Sequence, residues 1–211
     1  MPTTFKVIRM AKRGNLLPAE FRQEFLEKNR ELKRAARKVV ASIATADLKD
    51  PTYDGMSSLY YGTASEARAA LGDDPSKLEV ACEEMVIAQK GDADQAIKTS
   101  GQLKAVRTMI RRKDLTLAQF KDYWLKTRSN IDKRVIAESA TQRIVASFAL
   151  PPEKGGNEPQ FDGMVELYFA TLEDARAVFG GPLAELMRKD DENFIQADAP
   201  AARMIAEEFV L

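Results

Sequence analysis

Apolar and polar residues alternate in part along the short run Phe5-Lys-Val-Ile-Arg-Met-Ala-Lys12, which predicts a strand. Arg13-Gly14-Asn15 breaks it, and Pro18 then suits the first turn of a helix, with Glu20 near the positive helix end. That helix is expected to reach about Lys38, with Phe21, Phe25 and Leu32 on one apolar stripe. Val39–Thr45 reads as a second strand. Asp54-Gly55 turns the chain into a third, Met56–Gly62. Thr63 or Ser65 caps a short helix ending near Gly72. A helix restarting at Asp73-Asp74-Pro75 and holding Cys82, then a strand over Gln95–Ser100, complete the order βαββαβ.

The pattern is then written again. Tyr53-Asp-Gly-Met-Ser-Ser-Leu-Tyr-Tyr-Gly-Thr63 returns as Phe161-Asp-Gly-Met-Val-Glu-Leu-Tyr-Phe-Ala-Thr171, and ten of the twenty positions from 53 to 72 are identical at an offset of 108. Leu103–Arg112, Met164–Ala170 and Arg203–Glu208 are the second set's strands, with a helix from Leu117 to about Arg134 and a strand at Val145-Ala146-Ser147. The expected fold class is α+β: two tandem ferredoxin-like repeats, residues 1–101 and 102–211, forming a pseudo-dimeric α/β barrel. One such unit leaves a sheet face open, and a second sheet covers it, with a cavity between or beneath the sheets. Alternation sorts the third strands. Leu59/Leu167 and Tyr61/Phe169 suit a face under helices; Met56/Met164, Ser58/Glu166 and Tyr60/Tyr168 suit a cavity lining.

Composition narrows the chemistry. Lysine plus arginine equals aspartate plus glutamate at 32 each, which gives no support to a nucleic-acid or membrane-surface partner. No apolar run reaches the roughly 20 residues a membrane helix needs. A single cysteine, Cys82, excludes an internal disulfide, and cytoplasm is the default compartment. Histidine is absent altogether. That removes imidazole acid–base catalysis, histidine triads, and histidine-held zinc, iron or haem, so neither a metal nor a cofactor is called for.

Candidate residues each carry two readings. Trp124 is a pocket wall for a flat substrate or a core aromatic. Arg128 is a clamp on a carboxylate or enolate, or a solvated helix-end cation. Arg107, like Arg9 in the first copy, is a mid-strand arginine that faces either a polar cavity or an edge. Glu166 is a buried proton carrier with a raised pKa or an exposed strand carboxylate. Tyr60 and Tyr168 orient a ligand carbonyl or pack. Met164 lines the cavity. Asp54 and Asp162 are turn formers. The basic run Lys28–Lys38 reads as a solvated helix face.

The segments Arg111–Trp124, Phe161–Phe169, Asp190-Asp-Glu-Asn-Phe194 and the closing strand with Glu207-Glu208 resemble, in order and spacing, the EthD family of dimeric α/β-barrel proteins. The first half is a weaker copy. The family's helix continues from the tryptophan to a histidine four residues on; Arg128 stands there in this chain, and Asn29 in the first copy. The resemblance implies small-molecule work of the oxidoreductase kind, linked to ether degradation or polyketide-type metabolism. It points to a cofactor-independent enzyme on a small apolar or aromatic molecule, with Glu166, Tyr168 and Arg128 as catalytic candidates. Trp124, Arg107, Tyr60 and Met164 would bind substrate. The alternative is a non-catalytic barrel that holds a metabolite or scaffolds another enzyme. Beyond the intramolecular pseudo-dimer, pairing of two chains stays open.

Overall fold

The computed structural model describes residues 4–45, 51–72, 74, 76–91 and 101–211. Repeat one supplies β1 (Thr4–Ala11), α1 (Pro18–Leu32), β2 (Lys38–Ala44), β3 (Gly55–Tyr61), α2 (Ala64–Ala69) and β4 (Glu79–Gln89). Repeat two supplies β5 (Gln102–Met109), α3 (Leu117–Tyr123), a π-helical turn (Trp124–Arg128), α4 (Ser129–Glu138), β6 (Arg143–Ala149), β7 (Gly163–Phe169), α5 (Leu172–Gly180), α6 (Pro182–Asp191) and β8 (Arg203–Val210). The strands close in the order β1-β3-β2-β8-β5-β7-β6-β4. Every pairing is antiparallel, and two seams, β2 with β8 and β4 with β6, join the repeats. Closure leaves no bare sheet edge.

The doubled Asp-Gly motif sits where each repeat's first helix lands on its third strand. Asp54 accepts the Arg13 backbone N–H at 3.0 Å, and Asp162 accepts that of Arg111 at 2.7 Å; each also pairs with that arginine's guanidinium. The glycines let the helix approach. A Cβ on Gly163 would stand 2.7 Å from the Phe120 ring, and one on Gly55 would stand 2.9 Å from Phe25. Sequence identity at this motif therefore reflects packing.

In repeat two, Phe120, Trp124, Arg128, Asp132 and Ile136 are all buried. A strict spacing of four drifts off one face of an ordinary helix with 3.6 residues per turn. The wider π turn at Trp124–Arg128 takes up part of that drift and keeps Arg128 facing inward. Trp124, fully buried, makes edge contacts with Phe120, Phe148 and Phe194.

The alternation in β3 and β7 is as expected. Leu59 packs with Ala67 of α2, and Leu167 and Phe169 pack with Trp124 and Val178 under the helices. Met56 and Met164 face the barrel interior. Three expectations need correcting. Cys82 lies on β4, not a helix: this strand pairs on both edges and is buried on both faces over Val80–Cys82, so its apolar residues do not alternate cleanly. Helix α1 stops at Leu32, because the chain must turn over residues 33–37 to enter β2 at Lys38. The strand expected at Gln95–Ser100 lies outside the described residues; β4 is the fourth strand of repeat one.

Candidate functional site

The barrel interior is filled rather than hollow at the level of Glu166. Lys6, Lys104 and Glu166 are among its largest fully buried side chains. The Glu166 carboxylate accepts from Lys104 Nζ at 2.6 Å and from Lys6 Nζ at 2.8 Å. Lys6 also reaches Glu84 at 2.6 Å, and Lys104 reaches Glu208 at 2.7 Å. Tyr60 donates its hydroxyl to Glu84 at 3.0 Å and Tyr168 donates to Glu208 at 2.9 Å. Lys6 and Lys104, Tyr60 and Tyr168, and Glu84 and Glu208 are equivalent between the repeats. Glu166 breaks the symmetry, since repeat one has Ser58 in its place.

Electrostatics makes this a locked network. Desolvation alone drives the Glu166 carboxyl upward, but Lys104 and Lys6 overcome it and hold the group well below the usual carboxylate range. A raised-pKa proton carrier at Glu166 is thus corrected: two ammonium partners outweigh burial. Burial likewise opposes the Lys6 and Lys104 cations, and their glutamates push both above the ordinary lysine value. Desolvation, reinforced by the neighbouring glutamates, pushes the Tyr60 and Tyr168 phenols well up, so both stay donors. Burial pushes the Cys82 thiol up to about 12, which fits an inert thiol.

A second, different place lies under the helices of repeat two. A cleft of about 600 Å³ runs between the outer face of β5, β7 and β8 and the helices α5 and α6. Its floor is apolar, including Val165, Leu167, Phe179, Met187 and Ile205, and its polar lining is five arginines and one aspartate: Arg107, Arg128, Arg176, Arg188, Arg203 and Asp191. Asp191 is bridged by Arg128 Nη1 at 2.6 Å and Arg107 Nη1 at 2.5 Å. Arg128 also pairs with Asp132 at 3.2 Å, which accepts from Trp124 Nε1 at 3.0 Å. Burial works against the Arg128 cation, and Asp132 and Asp191 outweigh it, so its pKa rises above the ordinary arginine value. Arg203 and Arg188 are exposed and have no ion pair among the described residues.

The residues singled out from sequence therefore separate. Glu166, Tyr168, Tyr60 and Met164 face the barrel interior; Arg107 and Arg128 line the cleft; Trp124 lies behind it in the aromatic core. Sequence reasoning did not single out Arg203, Arg188 and Arg176, nor Asp191 as the acid between two arginines. It also missed Lys6 and Lys104. Their signal was present: a lysine inside the first strand of each repeat, three residues before the arginines at 9 and 107. Among the described residues, no group of three or more His, Cys, Asp or Glu is placed to hold a metal ion.

A closed barrel of two ferredoxin-like repeats with a ligand-sized cleft under the helices of one is a dimeric α/β barrel made within a single chain. Residues 112–198, a stretch lying within repeat two, match the EthD domain family. That segment includes β7, α5, α6, Arg128 and Asp191. An anthrone oxidase-like protein superposes over 99% of this chain and 92% of its own, with a TM-score of 0.64 at 7% identity. A candidate monooxygenase from Lactobacillus acidophilus NCFM covers 100% of this chain and 96% of its own (TM-score 0.52, 11% identity). A chlorite dismutase variant from Candidatus Nitrospira defluvii covers 97% and 91% (TM-score 0.52, 9% identity). Likeness at this level is likeness of fold, and these names span more than one chemistry. No curated protein matches the chain in sequence. Among the described residues, no helix is long and apolar enough to cross a membrane.

Proposed function

We propose that the repeat-two cleft binds a small, flat, largely apolar molecule carrying an acidic or enolic oxygen, and that the chain oxidises it without a dedicated cofactor. The observation that carries this reading is the arginine-rich lining over an apolar floor, with a single carboxylate among the lining residues. Guanidinium groups hold oxyanions in a fixed fork and stay charged at any working pH. Arg107 and Arg128 are fixed by Asp191, so their remaining donors are aimed in advance at an incoming oxygen. Stabilising an enolate or phenolate enriches the ring carbon in electrons, and such a carbanion is oxidised by dioxygen. An activated methylene then becomes a carbonyl, with one oxygen atom retained and the other leaving as water.

A hydroxylated anthrone is a suitable probe of that chemistry. Calorimetric titration is expected to show binding, and an oxygen electrode is expected to show turnover. Arg203→Met, at an exposed position without an ion pair among the described residues, should weaken binding about tenfold, the loss of one charged contact. A chain that binds no acidic aromatic, or an Arg203→Met variant of unchanged affinity, overturns the reading. One observation favours a second reading, a binding protein without turnover. The cleft's carboxylate, Asp191, already has both oxygens engaged by arginines, Arg107 on one and Arg128 on the other, which leaves it no free lone pair aimed at a substrate proton. Under that reading the anthrone binds and no oxygen is consumed.

A further inference from the structure

The end of the barrel that holds the buried network carries more cation than it neutralises. Among the described residues facing the interior there, Lys6, Lys38, Lys104 and Arg143 meet three carboxylates, Glu84, Glu166 and Glu208, an excess of one positive charge. The two inner lysines take up the contact ion pairs. Lys38 and Arg143 take part in none among the described residues.

These two are equivalent between the repeats: each opens the second strand and is registered opposite its repeat's tyrosine, Lys38 with Tyr60 and Arg143 with Tyr168. β2 and β6 stand four places apart either way round the ring, so the two cations approach from opposite walls. Arg143 is among the charges acting on Lys38, whose pKa desolvation lowers, which places them within electrostatic reach across the lumen. Each lies over its tyrosine ring, at 5.1 Å for Lys38 and 5.5 Å for Arg143.

The arginine is the informative one. It is only 7% exposed, and its Nε–H has no hydrogen-bond partner among the described residues. Its registered neighbour Gln89 does not serve it, because the Gln89 side-chain oxygen is itself unpartnered. The tyrosine hydroxyls are already donated to Glu84 and Glu208. A guanidinium buried without an anion is costly, and one buried beside an unpaired ammonium more so.

We propose that this barrel mouth is a second binding site, distinct from the cleft, which takes the carboxylate of a small monocarboxylic acid between Arg143 and Lys38. A planar carboxylate matches the guanidinium fork and leaves an oxygen for the lysine. One negative charge neutralises the excess of the layer. A dianion such as phosphate overshoots it and meets the adjacent Glu84 and Glu208.

The test uses the full chain, with acetate and benzoate as monocarboxylate probes and inorganic phosphate as the dianion. Binding is read by NMR at the arginine Nε–Hε signal that Arg143→Met removes, and at the Tyr168 ring. Acetate is expected to shift both saturably, and Lys38→Met to weaken its affinity about tenfold, as loss of one charged partner does. Arg203→Met, on the cleft, leaves the shifts unchanged. Should Arg143→Met fold poorly, Lys38→Met with the Tyr168 signal still decides, since Lys38 is half-buried. Absence of any shift, a shift indifferent to Lys38→Met, one abolished by Arg203→Met, or an equal response to phosphate each overturns the proposal.

Discussion

The ion-pair network around Glu166 and the repeat-two cleft both gather charge, on opposite terms. Around Glu166 each carboxylate is matched to lysine at 2.6–2.8 Å, and the core of the network is closed to solvent. Around Asp191 the arginines outnumber the acid, and Arg188 and Arg203 stand exposed without ion pairs among the described residues. Both places hold residues that look catalytic in a sequence. Saturation tells them apart: a group whose charge is fully answered by its own fold holds the fold together, while unanswered charge on an apolar wall is available to a ligand.

The largest test of that contrast is Glu166→Gln. It leaves Lys6 and Lys104 facing each other across the barrel with half their partners gone. Breaking a buried pair this way costs about 3–5 kcal/mol, so urea unfolding should show a large loss of stability. A variant as stable as the parent chain breaks the comparison. The substitution therefore reports on folding before it reports on any turnover.

The pH profile of unfolding sharpens the same point. Desolvation opposes the Glu166 and Glu208 carboxylates, but Lys104, joined by Lys6 at Glu166 and by the Tyr168 hydroxyl at Glu208, holds both below the ordinary carboxylate value in the folded state. Their stabilisation is full above the unfolded carboxylate value and is lost as pH falls through the folded ones. Lys6 and Lys104 are raised, so theirs is full below the unfolded lysine value and is lost as pH rises through the folded ones. The melting temperature should be flat between roughly pH 5 and 10 and fall on either side. In Glu166→Gln the acid-side fall should shrink. The smallest effect is expected at the cleft. Arg203→Met should change unfolding free energy by no more than about 0.5 kcal/mol, because an exposed arginine without an ion pair contributes little. A large loss there would move Arg203 into the structural class.

Much of the fold was legible because it is local and repeated. Alternation in β3 and β7 put Met164, Glu166 and Tyr168 on one face and Leu167 and Phe169 on the other, and both assignments hold in the barrel. The misreading of β4 is equally instructive. Cys82 has apolar neighbours on both sides because β4 closes the ring against β6, and such a run carries no period that separates strand from helix. Of the cleft, Arg128 and Arg107 were visible by position, one in a helix after the tryptophan and one inside a strand. Arg203 and Arg188 were not, because exposed arginines near the end of a strand or helix look like ordinary solvated charges.

Sequence by itself determined the duplication, the element order of each repeat up to its third strand, and the inward or outward sense of those third strands, because each rests on identity at a fixed offset or on a period of two. Only the tertiary structure decided which charges meet. Lys6 and Glu166 are 160 residues apart, and Lys104 and Glu208 are 104 apart. Their partnership follows from the closed barrel bringing distant strands to a common interior. The same closure decides what Glu166 is: a carboxylate's pKa depends on the charges within a few ångströms, and those are set by which strands close the ring.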